Sequence, residues 1–98
     1  MSVHFEWSPR KAAANFRKHG VSFDEASTVF DDLLAAIFDD EGHSLDEARE
    51  IIIGRSIGDR IVLVCFTERT SDVIRIISAR LATRKERKDY EENLNRQN

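Results

Sequence analysis

The sequence lacks most of the residues that announce a ready-made site. Its single cysteine, Cys65, excludes an internal disulfide and fits a reducing compartment. Only four glycines are present, and none opens a phosphate-cradling loop. His4, His19, His43 and Cys65 show no metal-ligand spacing. Ser44 and Ser78 sit in no nucleophile elbow. No apolar run approaches a membrane span, and MSVHFEWSPRK lacks a signal peptide's basic-then-apolar order. The expectation is a cytoplasmic protein with no metal, cofactor or membrane.

What remains is a chain of 98 residues, enough for one domain spanning 1–98. Six Phe and one Trp supply a modest core. The charges alternate too closely with apolar runs for disorder. They are also unevenly spread. Residues 1–20 carry four Lys/Arg and one acid, residues 21–50 ten acids and one Arg, and residues 51–98 ten Lys/Arg and seven acids. The net charge of −3 therefore hides a basic–acidic–basic layout. A basic face suits a polyanion and an acidic one a basic protein, unless all three are ordinary solvated surfaces.

VHFEW (3–7) reads as a short strand. Ser8-Pro9 caps and starts a helix that stops at Gly20, with Phe16 and Val21 as the apolar pair beside the stop. Ser22 to Glu25 is a capping box, and Ala26, Val29, Phe30 and Leu33 form one helical stripe. LAAIFDD (34–40) is a strand, and EGHSLDEA (41–48) a connection in which Ser44 and Glu47 cap a turn. REIIIGRSI (49–57), RIVLVCFTER (60–69) and VIRIISAR (73–80) then form an antiparallel meander. Thr83 to Glu86 is a second capping box, opening a helix to about residue 94 whose apolar face is only Tyr90 and Leu94. The expected fold is α+β, with two N-terminal helices and a C-terminal helix packed on a small antiparallel sheet.

The arginines of the last strand carry the chemistry. Strict alternation points Val73, Arg75 and Ile77 one way and Ile74, Ile76, Ser78 and Arg80 the other, although a break at Leu81-Ala82 could turn Arg80 to either face. Arg75 is either aimed at phosphate from an open face or paired with a cross-strand acid such as Glu68. Arg84, Lys85, Arg87 and Lys88 crowd a helix N-terminus whose dipole disfavours them, so they serve binding or a solvated face balanced by nearby acids. His19 either gains from the dipole at its helix end or is an acid–base group at the edge of a basic face. Cys65 reads as a core residue.

FEWSPRKAAANFRKHGVSFDEASTVF (5–30), His43-Ser44, REIIIGRS (49–56), VCFTER (64–69) and IRIISARLATRKERKDYE (74–91) together resemble BrnT-type toxins, in the family's order over nearly the whole chain. The resemblance implies a toxin of a bacterial type II toxin–antitoxin system, similar to the RelE group. It implies a RelE-like fold and a metal-independent endoribonuclease that arrests growth. It further implies neutralisation by a BrnA-like antitoxin, contact with operator DNA only through that antitoxin, and a 2:2 complex. On that reading Arg75 and Arg80 bind phosphate and the transition state, while Lys18 and His19 move protons or position RNA. Arg69, Arg84, Lys85, Arg87 and Lys88 bind RNA. Glu86 and Tyr90 match the ER..YE block, Glu86 doubling as the capping acid. Trp7 either stacks on a base or packs in the core. Asp31, Asp32, Asp39, Asp40, Tyr90 and Leu94 meet the antitoxin. A non-catalytic nucleic-acid-binding module and an inactive, partner-binding toxin relative are the alternatives.

Overall fold

The structure, a computed structural model, describes residues 3–40 and 48–96, and beyond Asn93 it describes the backbone alone. In chain order it runs β1 (His4–Glu6), α1 (Pro9–His19), α2 (Phe23–Thr28), a 3-10 turn (Val29–Asp31), β2 (Ala36–Asp39), β3 (Glu50–Arg55), β4 (Ile61–Thr70), β5 (Val73–Leu81) and α3 (Arg84–Arg96). The expected connection over 41–48, with Ser44 and Glu47, falls almost entirely outside the described residues.

The cap signals act as the sequence suggests. Ser8 Oγ accepts from Lys11 N–H, and Gly20, at φ 70°, ends α1 while its N–H bonds Phe16 C=O at 2.8 Å. Val21 then enters the core, whereas Phe16 stays 56% exposed. The second helix is shorter than the stripe predicts. It ends at Thr28, because the Ser27 and Thr28 hydroxyls bond back to the Asp24 and Glu25 carbonyls, offering the backbone an alternative to helix. Asp32 then accepts from the Leu34 and Arg55 backbone N–H groups at 2.9 and 2.8 Å. The turn it fixes leaves Leu33 98% exposed, off the stripe it was expected to complete. The chain can approach β3 this closely because residue 54 is glycine. A Cβ there would stand 2.9 Å from Ala35 Cβ and 3.0 Å from Asp32 Oδ2.

Only half of the first capping box forms. Ser22 Oγ accepts from Glu25 N–H at 3.0 Å, but the Glu25 carboxylate crosses to the β3–β4 turn. There it meets Ser56 Oγ at 2.6 Å and the Arg60 guanidinium through both Nε and Nη2. These partners hold Glu25 below its ordinary pKa, the Arg60 hydrogen bond first among the causes. At Thr83 both halves form: Thr83 N–H donates to Glu86 Oε1 at 2.8 Å, and Glu86 N–H to Thr83 Oγ1 at 3.2 Å.

The sheet has the order β1-β5-β4-β3-β2. It is mixed rather than antiparallel: β3, β4 and β5 form the expected meander and β2 adds antiparallel to β3, but β1 pairs parallel to β5. The meander's short turns dictate antiparallel neighbours, whereas β1 reaches β5 from far away in sequence and no turn sets its direction.

Alternation along β4 separates the two sheet faces. Val62, Val64 and Phe66 join Val21, Phe23, Ala26, Val29, Ile52, Ile76 and Ala79 in the main core, beneath α1 and α2. Phe30 joins this core edge-on to Phe66, with ring centroids 5.0 Å apart, and Trp7 packs on Phe23 at 5.9 Å. Ile61, Leu63, Cys65 and Thr67 point to the opposite face. Tyr90 of α3 covers one end of that face, packed with Ile53 and Ile61 in a second small cluster.

Candidate active site

Strict alternation would put Arg75 and Arg80 on opposite faces, and the structure does not. Arg80 lies opposite Leu63, Ser78 opposite Cys65 and Arg75 opposite Thr67. Leu63, Cys65 and Thr67 alternate regularly on one face, so both arginines stand on that face. The cause is a bulge: Cys65 pairs with Ser78 but Phe66 pairs with Ile76, so Ile77 is an extra residue. The two arginines are rooted four β4 residues apart, roughly 13 Å.

Each guanidinium has a carboxylate partner. Arg75 Nη1 donates to Glu6 Oε2 of β1 at 2.9 Å, so its partner is Glu6 and not Glu68. Arg80 makes a two-pronged pair with Glu86, Nη1 to Oε1 at 2.8 Å and Nη2 to Oε2 at 3.0 Å. The Arg80 hydrogen bond is the main reason the Glu86 carboxyl is pushed down to about 2. Glu86 therefore caps α3 and holds Arg80 at once.

Lys18 and His19 reach the same strand from the other side. They border a depression of about 240 Å³ with Lys11, Asn15, Ile77 and Ser78. Asn15 puts them there. Beyond Arg75, β5 has lost its β1 partner, and the buried Asn15 side chain takes its place. Its Nδ2 donates to Ala79 C=O at 2.8 Å and to Val21 C=O at 3.0 Å, and its Oδ1 accepts from Ala79 N–H at 3.1 Å. The edge of β5 thus runs between the Lys18–His19 rim and the arginine-bearing face. Sequence reasoning missed Asn15; the signal was a poor helix former in the middle of KAAANFRKH. It also missed Glu6 as the partner of Arg75, and Arg49, whose charge acts on Cys65 from just before β3.

The remaining positive residues divide. Arg84, Lys85, Arg87 and Lys88 are exposed in the first turns of α3, near Arg80. Arg69 is exposed at the far end of β4, beside the β4–β5 turn. Of the acidic set, Asp31 and Asp39 are exposed. Asp32 accepts from Tyr90 Oη as well as the two backbone groups, so these two are partners of each other, anchoring α3. Burial and the Asp32 bond push the Tyr90 hydroxyl up to about 12. The Leu94 side chain lies outside the described residues. Cys65 is buried on the arginine face, its Sγ 3.6 Å from Asp40 Oδ2, and burial pushes the thiol up to about 11, a poor nucleophile. Among the described residues no three His, Cys, Asp or Glu side chains cluster as metal ligands. None of the described helices is long and apolar enough to cross a membrane.

A family model for the ribonuclease toxin BrnT of type II toxin–antitoxin systems matches residues 7–86. The chain belongs to the BrnT toxin family. Among solved structures it is similar to the ribonuclease toxin BrnT of Brucella abortus, known from a crystal structure at 1.1 Å resolution. That match has 26% sequence identity and a TM-score of 0.65, and covers 85% of this chain and 100% of the other. A search of curated proteins finds no match. The BrnT match spans both halves of the site, from Trp7 and α1 through the β5 arginines to Glu86.

Proposed function

We propose that this BrnT-family chain acts as a single toxin domain, a metal-independent endoribonuclease whose active site straddles the free edge of β5. One observation carries the reading. The bulge at Ile77 brings Arg75 and Arg80 onto one face, and Asn15 brings Lys18 and His19 to the same stretch of strand. A planar guanidinium matches two phosphate oxygens. Rooted roughly 13 Å apart, the two long side chains can reach towards one phosphate group from either side. Their pairs with Glu6 and Glu86 are partly exposed, so a phosphate can displace the carboxylates at small cost.

In the reaction the 2′-hydroxyl gives its proton to a base and attacks the adjacent phosphorus. The P–O5′ bond breaks, and the leaving 5′-oxygen takes a proton. Lys18 and His19 are the groups for these transfers or for positioning the RNA, and Arg75 and Arg80 neutralise the doubly charged phosphorane. Arg84, Lys85, Arg87 and Lys88 extend the phosphate track past Arg80, and Arg69 extends it at the opposite end. The protein is read as a cytoplasmic, RelE-like toxin held inactive by a BrnA-like antitoxin in a 2:2 complex, with operator DNA contacted only by the antitoxin. The acids at 31, 39 and 40 and Leu94 of α3 form the antitoxin side, while Asp32 and Tyr90 are bonded to each other within the fold.

The test is cleavage of purified RNA in the presence of a chelator by the wild type, Arg75→Ala and Arg80→Ala. Cleavage by the wild type alone, with all three melting normally, is the expected result. Equal cleavage by all three would put the site elsewhere. No cleavage by any, with normal folding, would favour a ribosome-dependent enzyme or a binding-only protein.

A further inference from the structure

Among the described residues, the least protected apolar segment is Leu33–Phe38. Leu33 is 98% exposed, Leu34 38%, Ile37 56% and Phe38 47%. Within it, β2 is the outermost strand, and among the described residues it pairs only with β3. The phase of that pairing follows from Asp40 N–H bonding Arg49 C=O at 2.9 Å. In an antiparallel ladder bonded and non-bonded pairs alternate. Phe38 and Ala36 therefore bond inward to β3, and the N–H and C=O groups of Ile37 and Asp39 point out from the sheet.

Proteins usually blunt such an edge with lysine, proline or a bulge. Residues 31–40, DDLLAAIFDD, contain no proline and no basic residue. The edge instead carries apolar side chains on both faces. Phe38 stands at the mouth of a depression of about 290 Å³, also lined by Ile53, Leu63, Tyr90, Glu86 and Asp89. Asp31 and Asp39 lie exposed near the two ends of the strip.

We infer that β2 is a docking edge for an extended segment of the protein antitoxin, which adds to the sheet as a sixth strand. The occupant's backbone bonds the outward groups of Ile37 and Asp39. Its inward apolar side chain fills the depression beside Phe38, and flanking Lys or Arg side chains face Asp31, Asp39 and Asp89. This mode combines main-chain affinity with a side-chain pocket. Charge selects the occupant. RNA is repelled by this rim, and a second copy of the chain would bring the same acids against its own edge. The inference rests on the antitoxin reading given above and adds to it the place and mode of binding.

The test is residue-resolved hydrogen exchange of the full chain, alone at two concentrations and in complex with its protein antitoxin. The Ile37 and Asp39 amides should exchange quickly in the free toxin and slow at least ~10-fold in the complex. A complex that forms without protecting them overturns the docking edge and leaves the antitoxin reading intact. Failure to form any complex overturns both. Slow exchange in dilute free toxin shows the edge already covered, and protection that grows with toxin concentration alone assigns it to a second copy; either result overturns the proposal. Ile37→Pro removes an outward N–H that bonds nothing in the sheet, and Asp39→Lys reverses a rim charge. Each should weaken antitoxin binding roughly 10-fold or more while RNA cleavage is kept. Undiminished antitoxin binding by both variants would also overturn it.

Discussion

Replacing Glu86 by glutamine removes a charge and little else. Glutamine keeps the capping box, because its side-chain oxygen can still accept from Thr83 N–H. The loss falls on the two-pronged pair with Arg80. A carboxyl displaced from 4.5 to about 2 corresponds to about 3.4 kcal/mol of native-state preference for the charged form. The Glu86 and Arg80 side chains are 31% and 39% exposed, so solvent screening reduces this to about 1–2 kcal/mol. The sign is fixed by the direction of the displacement. The folded-state value lies below the unfolded one, so the stabilisation is complete above about 4.5 and is lost as pH falls towards about 2. Urea unfolding of the wild type and Glu86→Gln should show the full gap at pH 7 and less than roughly half of it at pH 3. The thermal midpoint at pH 7 should fall by roughly 5–12 °C. A gap of the same size at both pH values, or none at pH 7, would refute the assignment of this stability to the Arg80–Glu86 charge pair.

Asn15→Ala strips the β5 edge of its substitute partner and leaves the Ala79 N–H and C=O unpaired against the core. It should cost about 3 kcal/mol in urea unfolding, and a loss below ~0.5 kcal/mol would show that α1 is held by other contacts. Tyr90→Phe removes only the hydroxyl bonded to Asp32, which keeps two backbone donors. A cost of about 1–2 kcal/mol is expected, against about 3–4 kcal/mol for Tyr90→Ala, which also empties the second cluster. Amide exchange in α3 should quicken in both variants, and unchanged α3 exchange in Tyr90→Ala would mean that the helix is docked elsewhere.

Local signals were legible wherever the chain itself enforces them. Ser8-Pro9, Gly20 and Thr83–Glu86 fix helix ends through bonds made within four residues, and the three meander strands follow from apolar runs joined by short turns. What was hidden came from partners distant in sequence. The parallel pairing of β1 depends on residues nearly 70 positions away. The early end of α2 depends partly on Asp32 meeting Arg55 of β3. Glu25 reads as a capping acid until Arg60 is brought beside it. Within the candidate site, Arg75 and Arg80 stood out because arginines in an apolar strand need a reason. Their shared face was not legible, because a bulge has no reliable signature in VIRIISARL; the spacing of five residues argued for opposite faces. Lys18 and His19 were singled out as proton-transfer or RNA-positioning groups at the end of α1, and only Asn15 explains why they lie along β5.

The bulge at Ile77 also makes the phase of β5 depend on its residue count, separately from its composition. Side chains in a strand obey an even–odd rule, and one extra residue inverts the rule for everything beyond it. Substituting Ile77 changes a side chain but preserves the count. Deleting it leaves Arg75 and Arg80 an even four residues apart, so regular alternation then holds both on the same face with no bulge. With Ile77 present the spacing is odd, and the two arginines share a face only because the bulge takes that surplus residue out of the alternation.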